Sequence, residues 1–142
     1  MTSRRALLLG ALALAACRGA PRGDRCARCG MLIPRGSHWA AGAVRADGRR
    51  LAFDAPSCLF HTVLRDPSLR GARLWVTPYY AAAGVRADAR ALRYAVGSDV
   101  RGPMGADLIP LRENEIDTFT RDHRPRRALR FDEVTAAALD AL

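Results

Sequence analysis

The chain has 142 residues, enough for one domain with a modest core, and its formal net charge is +9. All 23 positively charged residues are arginine, and they are dispersed along the sequence, which favours a solvated basic surface over a nucleic-acid-binding site. The sequence has no Ser-His-Asp pattern and no phosphate-binding glycine loop, so it predicts no enzyme.

The first seventeen residues are predicted to be a signal peptide. Arg4 and Arg5 precede an uncharged apolar run over 6–16, which has the length of a signal-peptide core and is too short to span a bilayer. The run ends in a sequence that resembles a bacterial lipobox, with Cys17 as the lipidated residue. The arginine pair also resembles a twin-arginine export signal, so the export route stays open between Sec and twin-arginine.

The first half of the exported chain is predicted to contain a hairpin and a helix. Residues 18–25 form a flexible tether, and strands over 38–45 and 50–53 are joined by a turn that contains Asp47-Gly48. Asp54 as N-cap, with Pro56 in the first turn, predicts a helix over 56–64.

The second half is predicted to repeat this mixture of strands and helices. Strands are expected over 72–77, 91–96, 107–111 and 128–131, and helices over 113–123 and 133–142, the last one started by Asp132. A short helical turn is expected within 78–89.

An internal echo favours two related halves. The tetrapeptide 51–54, Leu-Ala-Phe-Asp, is echoed by Leu-Arg-Phe-Asp at 129–132, and each half has a glycine beside a methionine upstream. We therefore predict an α+β fold of two similar strand-hairpin-plus-helix halves, over about 26–70 and 91–142.

The segment Cys26-Ala27-Arg28-Cys29-Gly30-Met31 places two thiols and a thioether within six residues. Soft sulfur ligands select Cu(I), Zn(II) or iron–sulfur clusters, and the thioether favours Cu(I). Gly30 relaxes the backbone, so that Cys29 and Met31 can point the same way. The chain has no second Cys-x-x-Cys and no paired histidines, so a complete zinc site is poorly supplied.

Two other interpretations of the cysteine pair stay open, a thioredoxin-type redox pair and a plain disulfide. Cys58 lies on an apolar helix face, which favours a buried, inert thiol over a ligand. Met104 lies in a glycine-flanked bend and is a candidate second thioether ligand. For His38, beside Trp39, a structural role is favoured over metal binding.

Several of these motifs, in this order, resemble the NosL family of copper-binding lipoproteins, which act in nitrous oxide reductase maturation. They are the lipobox, Cys26-x-x-Cys29-Gly30-Met31, Phe53-Asp54-x-x-x-Cys58, Tyr94-x-Val96-Gly97-Ser98, Pro103-Met104-Gly105 and Leu129-x-Phe131-Asp132-Glu133-Val134. The resemblance implies a fold of two halves related to the organomercurial-lyase family. It also implies Cys29 and Met31 as the principal copper ligands, Cys26 close by and Met104 as a contributor.

The resemblance further implies a Cu(I) carrier in the periplasm, held by its lipid anchor at a membrane, expected to be the outer one. Its partner would be a copper acceptor or the transporter complex of the reductase maturation system, and not a nucleic acid. The sequence departs from the family pattern after Met31, where a nearer histidine is missing, and at Thr77-Pro78-Tyr79-Tyr80, where a more acidic sequence is expected. The alternative function is an exported thiol–disulfide protein that uses Cys26 and Cys29.

Overall fold

A computed structural model describes residues 23–142. The predicted signal peptide, Cys17 and most of the tether lie outside the described residues. Within the described part, no helix has both the length and the apolar character needed to cross a membrane.

The described chain contains nine short strands and three α-helices. The strands are β1 (Ala41–Val44), β2 (Arg50–Phe53), β3 (Arg73–Val76), β4 (Ala87–Asp88), β5 (Arg93–Val96), β6 (Arg101–Gly102), β7 (Gly105–Ala106), β8 (Ile109–Leu111) and β9 (Arg127–Arg130). The helices are α1 (Pro56–Arg65), α2 (Ile116–His123) and α3 (Ala136–Asp140). Short 3-10 turns lie at Pro67–Leu69, Ala89–Ala91, Glu113–Glu115 and Phe131–Glu133.

The strands form three antiparallel sheets. The first sheet has the order β2-β1-β3-β4, the second has the order β8-β5-β9, and β6 and β7 form a small hairpin. Pro110 lies in β8, and this strand is at the edge of its sheet, where the missing N–H of a proline is tolerated.

The two larger sheets share one connectivity. In each, the first strand is central, the second pairs on one side, a helix follows, and the third strand pairs on the other side: β1-β2-α1-β3 and β5-β8-α2-β9. The tetrapeptides at 51–54 and 129–132 do not occupy equivalent places in this pattern, because β2 is the second strand of its unit and β9 is the third. The similar tetrapeptides therefore do not mark corresponding positions in the two units.

Local signals define the hairpin and the first helix as predicted. Gly48 has a φ of +82°, as the turn between β1 and β2 requires, and its N–H donates to the Arg45 carbonyl at 2.9 Å. Pro56 occupies the first turn of α1, and the helix ends before Asp66-Pro67 because a residue that precedes proline is disfavoured in helical geometry.

The expected helices over 113–123 and 133–142 are wrong in extent. In the first, a 3-10 turn at Glu113–Glu115 precedes α2. At the C-terminus, Asp132 lies in a 3-10 turn, Val134 is extended, and the Thr135 side chain caps α3 by accepting a hydrogen bond from the Ala138 N–H. Helix α3 is therefore a separate five-residue element with its own cap. Segment 78–89 contains turns and β4 in place of the expected helical turn.

Helix α1 joins the two sheets through the main core. Its buried face, Cys58-Leu59-Phe60, packs with β1 and β2 of the first sheet. The Phe60 ring also meets Tyr94 of β5 edge to face, with ring centroids 4.7 Å apart. The N-terminus of α1 and the end of β2 are thereby held in fixed places, and the candidate site lies beside them.

Candidate metal centre

The segment 25–32 folds into a tight loop, called the knuckle here. A β-bridge between Arg25 and Leu32 closes it. Inside it, the Cys26 N–H donates to the Met31 carbonyl at 2.8 Å, and the Gly30 N–H donates to the Cys26 carbonyl at 2.9 Å. Gly30 has a φ of +77°, a conformation that glycine adopts without strain. These bonds bring the side chain of Cys29 back towards that of Cys26.

One backbone hydrogen bond fixes the knuckle to the first sheet. The Ala27 N–H donates to the Ala52 carbonyl at 2.8 Å, so the knuckle lies beside the end of β2. Two residues after Ala52 comes Asp54, and Cys58 follows in the first turns of α1. Knuckle, strand end and helix start therefore converge.

The convergence produces a cluster of three thiols and one carboxylate. The ligand atoms of Cys26, Cys29, Asp54 and Cys58 all lie within 4.8 Å of one another. All three cysteines are free thiols. With metal–sulfur bonds of about 2.3 Å, the sulfurs of a tetrahedral or trigonal site are about 3.8–4.0 Å apart. A contraction of about 1 Å at most would therefore turn this cluster into a coordination sphere.

The members of the cluster differ in exposure. Cys26, Cys58 and Asp54 are buried, with exposed fractions of 3%, 2% and 3%. Cys29 is half-buried, and its Sγ donates to Asp54 Oδ1 at 3.4 Å. The second oxygen of Asp54, Oδ2, is buried and has no hydrogen-bond partner among the described residues.

The neighbouring thiols and Asp54 influence one another's protonation. Burial alone would raise the pKa of Asp54, but the polar thiols of Cys26, Cys58 and Cys29 favour its charged form, and the net pKa lies below the usual value. Burial, followed by the hydrogen bond to Asp54, raises the pKa of Cys58 well above that of a free thiol. Burial also raises the pKa of Cys29, although the Met31 N–H opposes this effect by hydrogen bonding to the sulfur. In the metal-free cluster Asp54 is therefore ionised, while the raised pKa values of Cys29 and Cys58 oppose the loss of their protons.

The structure corrects two expectations about these residues. Asp54 was expected to be the N-cap of α1, but the N-cap is Ala55, which offers no side-chain hydrogen bond. Asp107, from the loop after β7, caps the helix: its Oδ1 accepts from the Ser57 N–H at 2.9 Å and its Oδ2 accepts from the Ser57 hydroxyl at 2.8 Å. Asp54 is thereby free to face the thiols.

Cys58 is buried, as predicted, but its sulfur lies in the cluster and not in an inert apolar setting. The expected shortage of zinc ligands is also wrong, because Cys58 and Asp54 complete a four-donor set with the knuckle cysteines. The spacing Asp54-x-x-x-Cys58 across a helix start was the available signal. Spacing alone could not show which way the carboxylate turns.

The two methionines predicted as copper ligands are exposed. Met31 is 41% exposed, and its backbone forms part of the knuckle. Met104 is 60% exposed, in the bend between β6 and β7. That hairpin leads directly to Asp107, which bonds Ser57, the neighbour of Cys58. His38 is exposed and does not belong to the ligand cluster.

Comparison with known proteins bears on this arrangement. A family model described as NosL matches residues 20–139. The chain belongs to the NosL family. As a member of this family it is not an enzyme, in agreement with the sequence-based expectation.

A solved structure has the same fold as this NosL-family chain. It is the crystal structure of the copper chaperone NosL from Shewanella denitrificans, with a TM-score of 0.65 and 23% sequence identity. The match covers 80% of this chain and 91% of that chain. The comparison with curated protein sequences gave no match.

Proposed function

We propose that this NosL-family protein is a Cu(I) chaperone, anchored by lipid in the periplasm, which delivers copper for metallocentre assembly in nitrous oxide reductase. The observation that carries the proposal is the convergence of three free thiols, with the exposed Met31 two residues after Cys29 along the chain. A solved structure with the same fold is that of a copper chaperone. Sulfur ligands of this kind select Cu(I).

Cys29 and Met31 are the proposed principal ligands, with Cys26 close by and Met104 as a contributor from the second half. Cu(I) is satisfied by two or three soft ligands, which the knuckle offers within six residues. Because Cys29 is half-buried and Met31 is exposed, an acceptor's ligand can approach the ion while the protein still holds it. Low coordination at an accessible edge supports tight binding together with transfer.

Substitution of the ligands tests this site. Cys29→Ser and Met31→Leu should each weaken Cu(I) retention at least about tenfold, or roughly 1.4 kcal/mol, in anaerobic competition with a chromophoric Cu(I) chelator. Met→Leu keeps the side-chain volume and removes only the sulfur. Cys26→Ser and Met104→Leu should also weaken Cu(I) retention, by smaller but measurable factors. Cys58→Ser is the control and should change retention less than about threefold. Equal losses at Cys29, Met31 and Cys58 would contradict a knuckle-centred copper site.

The anchor and the client need separate tests. Mass spectrometry of the mature protein should find lipid on Cys17, and Cys17→Ala should abolish that modification; an unmodified Cys17 would refute the anchor. Mixing the Cu(I)-loaded protein with the metal-free reductase maturation system should move copper to the acceptor. Retention of all the copper by the chaperone would show that the client is another protein.

The alternative function, an exported thiol–disulfide protein, fits the site less well. A redox-active cysteine needs a lowered pKa, whereas burial raises the pKa of both Cys29 and Cys58. The Cys26–Cys29 pair also lies in a turn and not at a helix N-terminus. An insulin-reduction assay distinguishes the two, because a copper chaperone should show no activity in it above the rate with dithiothreitol alone.

The relation of the two units to the organomercurial-lyase fold stays a prediction. The shared connectivity of the two larger sheets supports it. Superposition of β1-β2-α1-β3 on β5-β8-α2-β9, and of both on an organomercurial lyase, would test it.

A further inference from the structure

The proposed copper ligands leave Asp54 and Cys58 without a role. Both are buried, and the ligand atom of each lies within 4.8 Å of the two knuckle sulfurs. They come from the end of β2 and from α1, and therefore from elements that the core holds rigidly. A carboxylate and a third thiol in this position need an explanation beyond a two-cysteine knuckle.

We propose that Cys26, Cys29, Cys58 and Asp54 form a four-donor site for Zn(II), which competes with Cu(I) for the knuckle thiols. Binding replaces the thiol protons by metal–sulfur bonds and releases those protons to solvent, with no change of oxidation state. Asp54 is then the residue that sets the preference between the two ions.

The donor set favours a borderline divalent ion. Zn(II) takes four ligands in tetrahedral geometry and accepts both thiolate and carboxylate, whereas a hard carboxylate oxygen adds little to the binding of soft Cu(I). Charge leads to the same conclusion. Three thiolates and one carboxylate carry four negative charges; a divalent ion leaves two of these uncompensated and a monovalent ion leaves three. Excess buried charge is unfavourable, so the divalent ion suits the complete set better.

An independent observation concerns Asp54 itself. Its Oδ2 is buried without a hydrogen-bond partner, and no arginine or histidine of the described residues pairs with its carboxylate. A buried carboxylate without a counter-ion is costly, and the cost is removed when the group binds a cation. The metal-free structure therefore carries an unsatisfied oxygen next to three sulfurs.

The substitution Asp54→Asn separates the two ions, because it keeps the shape of the side chain and removes the charge. The reduced full chain is titrated anaerobically with Zn(II), and separately with Cu(I), against chromophoric chelators. We expect Zn(II) affinity to fall at least about tenfold, the lower end of losses seen even for groups that only orient ligands. Cu(I) affinity should change less than about threefold. Equal losses of both ions, or no loss of Zn(II), would overturn the proposal, and so would a wild-type protein that fails to bind Zn(II) at micromolar concentration.

Cys58→Ser gives a second test that does not depend on Asp54. With Co(II) as a spectroscopic probe for Zn(II), the wild-type protein should show tetrahedral d–d bands and sulfur-to-cobalt charge transfer from three thiolates. Cys58→Ser should lose about a third of the charge-transfer intensity; unchanged intensity would contradict the proposal. Circular dichroism of the metal-free variants serves as the folding control. A protein that retains Cu(I) but shows no Zn(II) or Co(II) binding would refute this inference alone and leave the copper function intact.

Discussion

Cys29 differs from the other members of the cluster because it is the half-buried one. Cys26, Cys58 and Asp54 are at most 3% exposed. A ligand from another protein that approaches a bound ion therefore reaches the Cys29 side of the cluster first. The adjoining Met31, 41% exposed, adds a soft donor on that same stretch of chain. Exposure at these two residues supports the proposed transfer of the ion, because an incoming ligand needs access to the coordination sphere.

Gly30 supports that arrangement through its backbone conformation. A Cβ at Gly30 would meet no atom within 4 Å, so an alanine there is opposed only by its φ of +77°. The left-handed conformation costs a non-glycine residue about 1–2 kcal/mol. If the knuckle stays formed in Gly30→Ala, the free energy of unfolding falls by this amount. If the knuckle opens, the free energy of metal binding is weakened by the same amount.

Either way, the Cu(I)-loaded variant should have a free energy of unfolding lower by about 1–2 kcal/mol in anaerobic urea titration. Asparagine tolerates the left-handed region, so Gly30→Asn is the matched control and should lose less than Gly30→Ala. Identical unfolding curves for the alanine variant and the wild-type protein would show that the knuckle does not need this conformation.

At the scale of elements, α1 is capped by a residue from the other half of the chain. Ala55 offers no cap, and Asp107, fifty positions after Ser57, accepts from the Ser57 N–H and hydroxyl. Asp107 is only 3% exposed, and burial raises its pKa to about 6 in spite of these bonds. Asp107 therefore caps the helix that carries Cys58, and ionisation of this carboxyl group destabilises the folded protein.

The pH dependence of stability follows from this shift. The pKa of Asp107 is near its ordinary value of 3.8 in the unfolded chain and about 6 in the folded protein, so its contribution to stability is fully present below pH 3.8 and is lost as pH rises through 6. The loss amounts to about 3 kcal/mol at most. In Asp107→Asn the amide oxygen still accepts from the Ser57 and Leu108 N–H groups, and the amide nitrogen donates to the Ser57 hydroxyl, which accepts instead of donating, so three hydrogen bonds remain without the charge. It should therefore raise the free energy of unfolding at pH 7.5 by up to about 3 kcal/mol and flatten its change between pH 4 and 6.

Urea unfolding at pH 4, 5, 6 and 7.5 measures this effect. Asp107→Ala is the control: it removes the cap as well as the charge and should destabilise the protein at every pH. The prediction fails if the asparagine variant is less stable than the wild-type protein at pH 7.5.

The sequence predicted those elements whose signals are local. Asp47-Gly48, Pro56 and Asp66-Pro67 define the first hairpin and α1 within a few residues, and the structure agrees with them. The C-terminal helix was wrong because the Thr135 side chain starts a new helix that periodicity did not distinguish from a continuous one. The roles of Asp54 and Cys58 were missed for another reason. They depend on Asp107 as the distant cap and on the Ala27–Ala52 hydrogen bond that brings the knuckle to α1.

At the scale of the whole molecule, one core unites the two larger sheets around α1. Phe60 contacts Tyr94 of the second sheet and Phe131 beyond β9, with ring centroids 4.7 and 5.0 Å apart. The same buried cluster includes Leu74 and Val76 of the first sheet. Strands of both larger sheets contribute to this main core, and a smaller buried cluster joins β5 and β8 to Phe119 of α2. Because the main core is shared, the described part of the chain should unfold as one cooperative unit.

Metal binding should stabilise that whole unit. The proposed copper ligands come from the knuckle and, through Met104, from the bend between β6 and β7, so a bound ion links segments that separate when the chain unfolds. At a free Cu(I) concentration one hundred times the dissociation constant, buffered by a chelator, the free energy of unfolding should rise by about 2.7 kcal/mol. Far-ultraviolet circular dichroism and the fluorescence of Trp39 and Trp75 should report one coincident transition before and after loading. At the same free Cu(I) concentration, Cys29→Ser should show the same single transition with a rise of about 1.4 kcal/mol or less, because it binds the ion at least about tenfold more weakly. Two separate transitions would mean that the halves fold independently. An equal rise in Cys29→Ser would mean that the ion is held away from the cluster.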